Sequence, residues 1–334
     1  MPRHELKGMG SVEHGLSLVE LLVSMLLGVF LSAVMVSAYL GAKRSYFYEE
    51  QISRMQENGR YALRLLTREL GMAGFYGGLL STEGVVPVSV ATDCSAPQWA
   101  LNPAKPLELV NDYNGADTPM TLDLTRFTCL DSADIRPGTD ILAIKRTAAE
   151  ASSRRGAPAT ALTRSTVQRW YLRLRGGQHP AWEQLRPVDL FDPARTNSNQ
   201  SYWSAISRIF FIRKYSGTQG DAIPTLCMEA LAGNAMSARC LVQGVENMQL
   251  EFGIDTDADG VANQYKALPA AEELDNAVTA KVFLLLRSLY SIAGYTDNKS
   301  YSLGRLLVPP AGDGYLRKVF STTVHLPNRI RPIN

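Results

Sequence analysis

Three carboxylates spaced two residues apart form the clearest candidate ligand set in the sequence. A Ca²⁺-binding loop requires carboxylates at its first, third and fifth positions, a glycine at the sixth, a backbone carbonyl at the seventh and an oxygen ligand at the ninth. The segment beginning at Asp255 meets each requirement, with Gly260 at the sixth position. The predicted calcium ligands are Asp255, Asp257, Asp259, Val261 and Asn263.

The twelfth position of this loop argues against an EF-hand. It is Lys266, where an EF-hand has a bidentate glutamate. We therefore expect a loop between two strands that binds Ca²⁺ weakly, with a dissociation constant on the order of 10⁻⁴–10⁻³ M. The alternative is an Asp- and Gly-rich hairpin turn without an ion.

Glu20 is an acid at the start of an apolar segment, and it is the second candidate group. The run from Leu21 to Ala42 contains no charged residue. As a helix it would reach roughly 33 Å, enough to cross a hydrocarbon core of about 30 Å. A polar segment ending in Gly15 precedes it, whereas a secretory signal has its cleavage site after the apolar core.

Four cysteines lie beyond the apolar segment. The sequence predicts disulfides in an oxidising compartment, with buried reduced thiols as the alternative. Four cysteines allow three connectivities, of which the simplest is sequential, Cys94–Cys129 and Cys227–Cys240.

Enzymatic chemistry is not indicated. Only four histidines occur, and no Gly-x-Ser-x-Gly elbow, Walker loop or dinucleotide-binding glycine pattern accompanies them. The 34 basic and 32 acidic residues give no electrostatic case for nucleic-acid binding. Trp170, Trp182 and Trp203 suit a sugar-binding surface, although burial is the commoner reason for tryptophans.

One long helix is predicted to carry the N-terminal features. No proline occurs between Pro2 and Pro87, so nothing should kink it. After Ala42 the pattern becomes amphipathic, and glycines from Gly71 onward end the helix. The apolar face comprises Ile52, Met55, Gly59, Ala62, Leu66 and Leu70. Charged side chains line much of the remaining surface, which suits a solvated face or subunit pairing. They are Arg54, Arg60, Arg64 and Arg68, with Glu50, Glu57 and Glu69 among them.

The remainder of the chain is predicted to be mainly β-structure. Residues 79–139 read as loops and short strands, 147–165 as a loop and 192–202 as an exposed connection. Residues 249–254 alternate apolar and polar side chains, which predicts a half-buried strand. Further strands are predicted at residues 140–146, 167–173, 206–215, 277–290 and 318–326.

The order Gly15-Leu16-Ser17-Leu18-Val19-Glu20 resembles the processing site of type IV prepilins and pseudopilins. The resemblance implies that a prepilin peptidase cuts after Gly15, that Leu16 becomes the N-methylated first residue, and that Glu20 is the glutamate at mature position five. Two departures are Leu16, where major pilins usually have phenylalanine, and a leader that is not strongly basic.

Two other stretches resemble minor pilins of the PilW family: residues 56–77, and the end of the chain from Phe320 to Arg329. The resemblance implies a pilin-like α+β fold, a long N-terminal helix packed on a C-terminal antiparallel sheet domain. Its expected parts are a leader (1–15), a transmembrane half-helix (16–42), an amphipathic half-helix (43–72) and a periplasmic β-rich domain (73–334).

The implied function is type IV pilus assembly, without enzymatic activity. The chain would be anchored in the inner membrane of a Gram-negative bacterium and incorporated near the pilus tip, supporting twitching motility. The implied partners are the prepilin peptidase, other minor pilins, the major pilin and a PilY-type tip adhesin. A type II secretion pseudopilin and a membrane-anchored periplasmic hydrolase or binding protein are the alternatives.

Cleavage would give Glu20 a physical role. A carboxylate in an apolar helix costs about 2.5–3.5 kcal/mol at the bilayer centre, less near its edge. The new α-amino group of Leu16 could offset this cost by pairing with Glu20 of a neighbouring subunit. Processing would then permit assembly.

Overall fold

One helix dominates the N-terminal part of the chain. The computed structural model describes residues 15, 17–95, 98–114, 127–193, 196 and 199–328. Helix α1 runs from Leu18 to Met72 without a break, as the absence of proline predicts. The chain divides into two compact units between Glu50 and Gln51, and each contains part of α1.

In the first unit, α1 presents its apolar side chains to its surroundings. Every large apolar side chain from Leu18 to Leu40 is at least 47% exposed, and this part of the helix is long and apolar enough to cross a membrane. An uninterrupted apolar surface of this size requires a covering of lipid or protein.

In the second unit, α1 buries one face. The buried positions recur every three or four residues, so one stripe of the helix packs into the core. They are Gln51, Met55, Gly59, Ala62, Leu66, Glu69 and Leu70, with Ile52 half-buried. The predicted apolar face is therefore the packed one, and it also contains a buried acid, Glu69.

The larger sheet is organised around one long central strand. Its strands are β1 (Leu107–Tyr113), β2 (Thr139–Thr147), β3 (Ser153–Arg154), β4 (Ala157–Pro158), β5 (Arg169–Arg175), β6 (Ala181–Leu185), β7 (Gln200–Arg213), β8 (Thr225–Ala232) and β9 (Ala235–Gln243). The central strand, β7, pairs antiparallel with β2, β3, β5 and β8, while β1 pairs with β2, β4 with β3, β6 with β5 and β9 with β8. A 3₁₀ turn, Pro187–Phe191, follows β6.

The C-terminal part of the chain forms a second antiparallel sheet and a separate hairpin. Its elements are β10 (Val245–Ile254), β11 (Gln264–Lys266), α2 (Ala271–Asp275), β12 (Ala277–Arg287), β13 (Tyr301–Leu303), β14 (Leu306–Val308) and β15 (Arg317–His325). The second sheet has the order β11-β10-β12-β15, and β13 and β14 form the hairpin. The fold class predicted from the sequence, a long helix with an antiparallel sheet domain, is confirmed.

A buried carboxyl group joins the two sheets. Asp140 of β2 accepts hydrogen bonds from the backbone N–H groups of Asp112 (2.9 Å) and Leu250 (2.7 Å), the latter on β10. Burial raises the pKa of Asp140 to about 8, although these two N–H donors act in the opposite direction.

The prediction that β10 is half-buried is wrong, because both of its faces are covered. Gln249 donates to the carbonyl oxygen of Gly138 (3.1 Å), and Glu251 accepts from the backbone N–H of Arg305 (2.9 Å). Both polar side chains are buried. Alternation correctly indicated a strand, but it did not show what lies on the polar face.

Two loop predictions also require correction. Strand β7 begins at Gln200, which is buried, so the exposed connection predicted for 192–202 ends earlier. The loop predicted for 147–165 contains the short strands β3 and β4, because β3 pairs with the early part of β7. Trp182 and Trp203 are buried, which favours a structural role for them over a sugar-binding surface.

Candidate functional site

The first candidate site lies at the start of α1. Gly15 is exposed, non-helical backbone, and Glu20 lies exposed in the first helical turn. The leader up to His14, together with Leu16, lies outside the described residues.

Glu20 already has a local role. Its carboxylate accepts a long hydrogen bond, 3.4 Å, from the backbone N–H of Ser17, the residue before α1 begins. Ser17-x-x-Glu20 is the capping-box spacing, in which the acid satisfies an N–H at the helix start. The sequence carried this signal, but the prediction did not use it. In this structure, Glu20 therefore contributes to capping its own helix.

The second candidate site is the acidic loop between β10 and β11. The structure brings the carboxylates of Asp255, Asp257 and Asp259 together, with one oxygen of each within 4.8 Å of the others. Asp255 is buried and the other two are exposed. The backbone of Ala258 has φ +64° and that of Gly260 φ +89°, which makes the turn sharp.

Hydrogen bonds within the loop hold part of the predicted ligand set in place. The N–H of Gly260 donates to Asp255 (2.9 Å) and that of Val261 to Asp259 (2.7 Å). Asn263 is engaged inside the loop: its side-chain oxygen accepts from the Thr256 N–H (2.7 Å), and its amide nitrogen lies 3.3 Å from Asp257. The three carboxylates converge, whereas Asn263 would have to turn in order to bind a metal.

The position of Lys266 shows how this loop differs from an EF-hand. It lies on β11 and pairs with Glu273 at the start of α2, so no acid closes the loop at its twelfth position. Two strands flank the loop, as the sequence predicts. Three carboxylate ligands without a bidentate acid suit a hard cation bound weakly.

The four cysteines form two disulfides, Cys94–Cys129 and Cys227–Cys240, which is the sequential pairing. The second cross-links the adjacent strands β8 and β9. Together they tie the loops before β2 and the edge of the larger sheet to the core.

Comparison with known proteins finds a family match over the C-terminal part of the chain. Residues 209–328 match the family model described as Type IV Pilus-assembly protein W, or PilW. Among solved structures, a type IV-like pilin from Thermus thermophilus aligns with 83% of this chain and 99% of its own, at 12% identity and a TM-score of 0.36. No curated protein matches the chain. The matched residues extend from β7 to just beyond β15 and include the acidic loop.

Proposed function

We propose that this chain, whose residues 209–328 match the PilW family of type IV pilus assembly proteins, is a minor pilin. This match is the observation that carries the proposal. The N-terminal helix supports it, because its apolar side chains are exposed from Leu18 to Leu40. A pilus-assembly family favours a pilus over a secretion pseudopilin, and a structural role over an enzymatic one.

In the proposed mechanism, the peptidase cuts after Gly15 and the new amino group of Leu16 is methylated. The apolar half of α1 anchors the chain in the inner membrane, with the sheet domain in the periplasm. Glu20 of one subunit then exchanges the long hydrogen bond to its own Ser17 for an ion pair with the Leu16 amine of the next. The Leu16 amine carries a full positive charge, so the ion pair adds a Coulombic attraction that the uncharged Ser17 N–H does not supply, and this favours the exchange.

The assembled position we propose is a priming complex near the pilus tip. There the chain would contact other minor pilins, the major pilin and a PilY-type adhesin, and the complex would support twitching motility. The apolar surface of α1 would be covered first by lipid and then by the helices of neighbouring subunits.

The experiment is to replace Glu20 with alanine and measure how much processed chain enters filaments. Loss of the proposed ion pair should lower incorporation by about tenfold or more, since about 1.4 kcal/mol corresponds to one factor of ten. Glu49→Ala is the matched control, because Glu49 is an exposed acid on the same helix beyond the apolar segment. Normal incorporation of the Glu20→Ala protein would refute the proposed joint.

Processing must be measured separately. Gly15→Ala should leave full-length precursor in the membrane, whereas Glu20→Ala should still be cleaved. This separates a failure of processing from a failure of assembly.

We further propose that the acidic loop binds Ca²⁺ through Asp255, Asp257 and Asp259, with the Val261 carbonyl and Asn263 as additional ligands. The convergence of three carboxylates within 4.8 Å supports the proposal. At about 10 mM Ca²⁺ and a dissociation constant of about 0.1–1 mM, the folded state would gain about 1.4–2.7 kcal/mol.

Melting of the full-length chain with calcium and with chelator tests this site. Calcium should raise the melting temperature by several degrees, and Asp257→Ala should abolish the rise. Glu150→Ala removes an exposed acid elsewhere and should leave the rise intact. Identical melting of the unmutated chain in both conditions would refute calcium binding.

A further inference from the structure

A basic groove runs between α1 and the larger sheet. Residues Tyr61 to Glu69 of α1 form one wall, and side chains of β2, β7, β8 and β9 form the other. They enclose a cavity of about 400 Å³. A second cavity of about 560 Å³ shares Ile206, Arg208 and Arg239 with it, so the two are continuous along the sheet. We call the first cavity the arginine groove.

The inner end of the arginine groove shows how it binds a carboxylate. Glu69 is 1% exposed and accepts hydrogen bonds from Arg146 at 2.9 and 3.1 Å, through both of its oxygens. Arg208 also pairs with Glu69. One acid of the chain is therefore held between two guanidinium groups, the bidentate geometry that arginine provides for carboxylates.

The outer end carries two further arginines. Arg68 and Arg239 line the groove and are exposed, and within the described part of the chain neither has an ion-pair partner. Four guanidinium groups therefore face one carboxylate, Glu69. The excess charge is local, because the whole chain carries a formal net charge of only +2.

The arginines are close enough to repel one another. Burial lowers the pKa of Arg208, and the neighbouring charges of Arg146, Arg239 and Arg68 lower it further, whereas Glu69 opposes this. An additional anion at the outer end would relieve the repulsion. Its binding would thus be favoured by charges that the fold already holds in place.

The walls of the groove favour a peptide over a phosphate or nucleic acid. Apolar side chains from both sides line the groove together with the arginines, among them Leu65, Met228 and Leu241. A nucleic acid would instead require a continuous row of cations along the surface. A peptide can combine carboxylates for the guanidinium groups with apolar atoms for these walls.

We propose that the arginine groove binds an acidic segment of a partner protein, whose carboxylates pair with Arg68 and Arg239. Its apolar side chains lie against Leu65, Met228 and Leu241. This interaction surface does not depend on processing at Gly15 or on calcium, so its test is independent of the proposed function.

The test uses the full-length chain in neutral detergent micelles and a fluorescein-labelled hexaglutamate peptide, followed by fluorescence anisotropy at low salt. Arg68→Gln combined with Arg239→Gln should weaken binding by about tenfold, as expected for two partly exposed ion pairs. Both side chains are exposed, so the core should remain folded; an unchanged melting temperature checks this. A hexaglutamine peptide should not bind.

Arg60→Gln combined with Arg64→Gln is the matched control. It removes the same amount of charge from exposed positions of α1 that do not line the groove, and it should change the affinity less than about twofold. Failure of hexaglutamate to bind, or an equal loss in the control, would overturn the proposal. So would displacement of the peptide by orthophosphate or a short DNA duplex at equal charge concentration, which would assign the groove to phosphates.

Discussion

The ion pair between Glu69 and Arg146 should determine how firmly α1 is held on the sheet. Glu69→Leu would leave the guanidinium of Arg146, which is 4% exposed, without its carboxylate. Removing one partner of a buried pair costs about 3–5 kcal/mol, because the remaining charge is then uncompensated. That is a large share of the stability expected of a domain.

The reverse substitution should cost less. In Arg146→Met, Glu69 keeps Arg208 as a partner, so we expect a loss of about 1–3 kcal/mol. The double variant removes both buried charges, and the side chain of Arg208, 23% exposed, can turn toward water. The double variant should therefore lose about 2–4 kcal/mol less than the two single losses combined.

Urea unfolding in neutral micelles, followed by tryptophan fluorescence, measures this coupling. All four tryptophans lie beyond α1, so the signal reports the sheet domain. Arg64→Met, an exposed change on the same helix, should shift stability by no more than about 0.5 kcal/mol. If the Glu69 and Arg146 effects add within about 0.5 kcal/mol, the buried pair does not hold the helix as described.

Two further predictions concern the core. Burial raises the pKa of Glu229 from its ordinary 4.5 to about 7, so the folded state binds this proton more tightly than the unfolded state. Its stabilising effect is complete below about pH 4.5 and is lost as pH rises through about 7. At pH 8, the Glu229→Gln chain should be more stable than the unmutated chain by up to about 3 kcal/mol, as measured by the midpoints of urea unfolding. At pH 4.5 it should not be more stable. An equal difference at both pH values would show that the proton on Glu229 does not contribute to stability. Gly59→Ala should lower the free energy of unfolding by about 1 kcal/mol, because the new Cβ would lie 2.8 Å from the ring of Phe320. This overpacking outweighs the better helix propensity of alanine. Phe320→Leu should restore the loss, and a stabilising Gly59→Ala would show that the helix does not approach the sheet this closely.

The local spacing of apolar residues was sufficient to predict the helices and strands that bury a regular stripe of side chains. Spacing of three or four predicted the packed face of α1, and β-branched or alternating segments predicted strands that became β2, β10, β12 and β15. The missed features depend on contacts between distant residues. Glu69 meets Arg146 and Arg208 across 77 and 139 positions of sequence, and no local pattern shows such a pairing.

The same distinction holds for the candidate sites. The acidic loop has its candidate ligands within nine residues, so the sequence predicted which carboxylates converge. It did not predict that Asn263 would bond within the loop. The arginine groove combines one helix with four strands, and the sequence suggested only a basic helix face, either solvated or used for subunit pairing.

Assembly as we propose it requires cleavage after Gly15, which would create the amino group available to Glu20. Mass spectrometry of the N-terminus of the mature chain, isolated from cells that contain a prepilin peptidase, tests it most directly. We expect a mature chain that begins with N-methylated Leu16. A mature chain that begins at Met1 or Pro2 would contradict it.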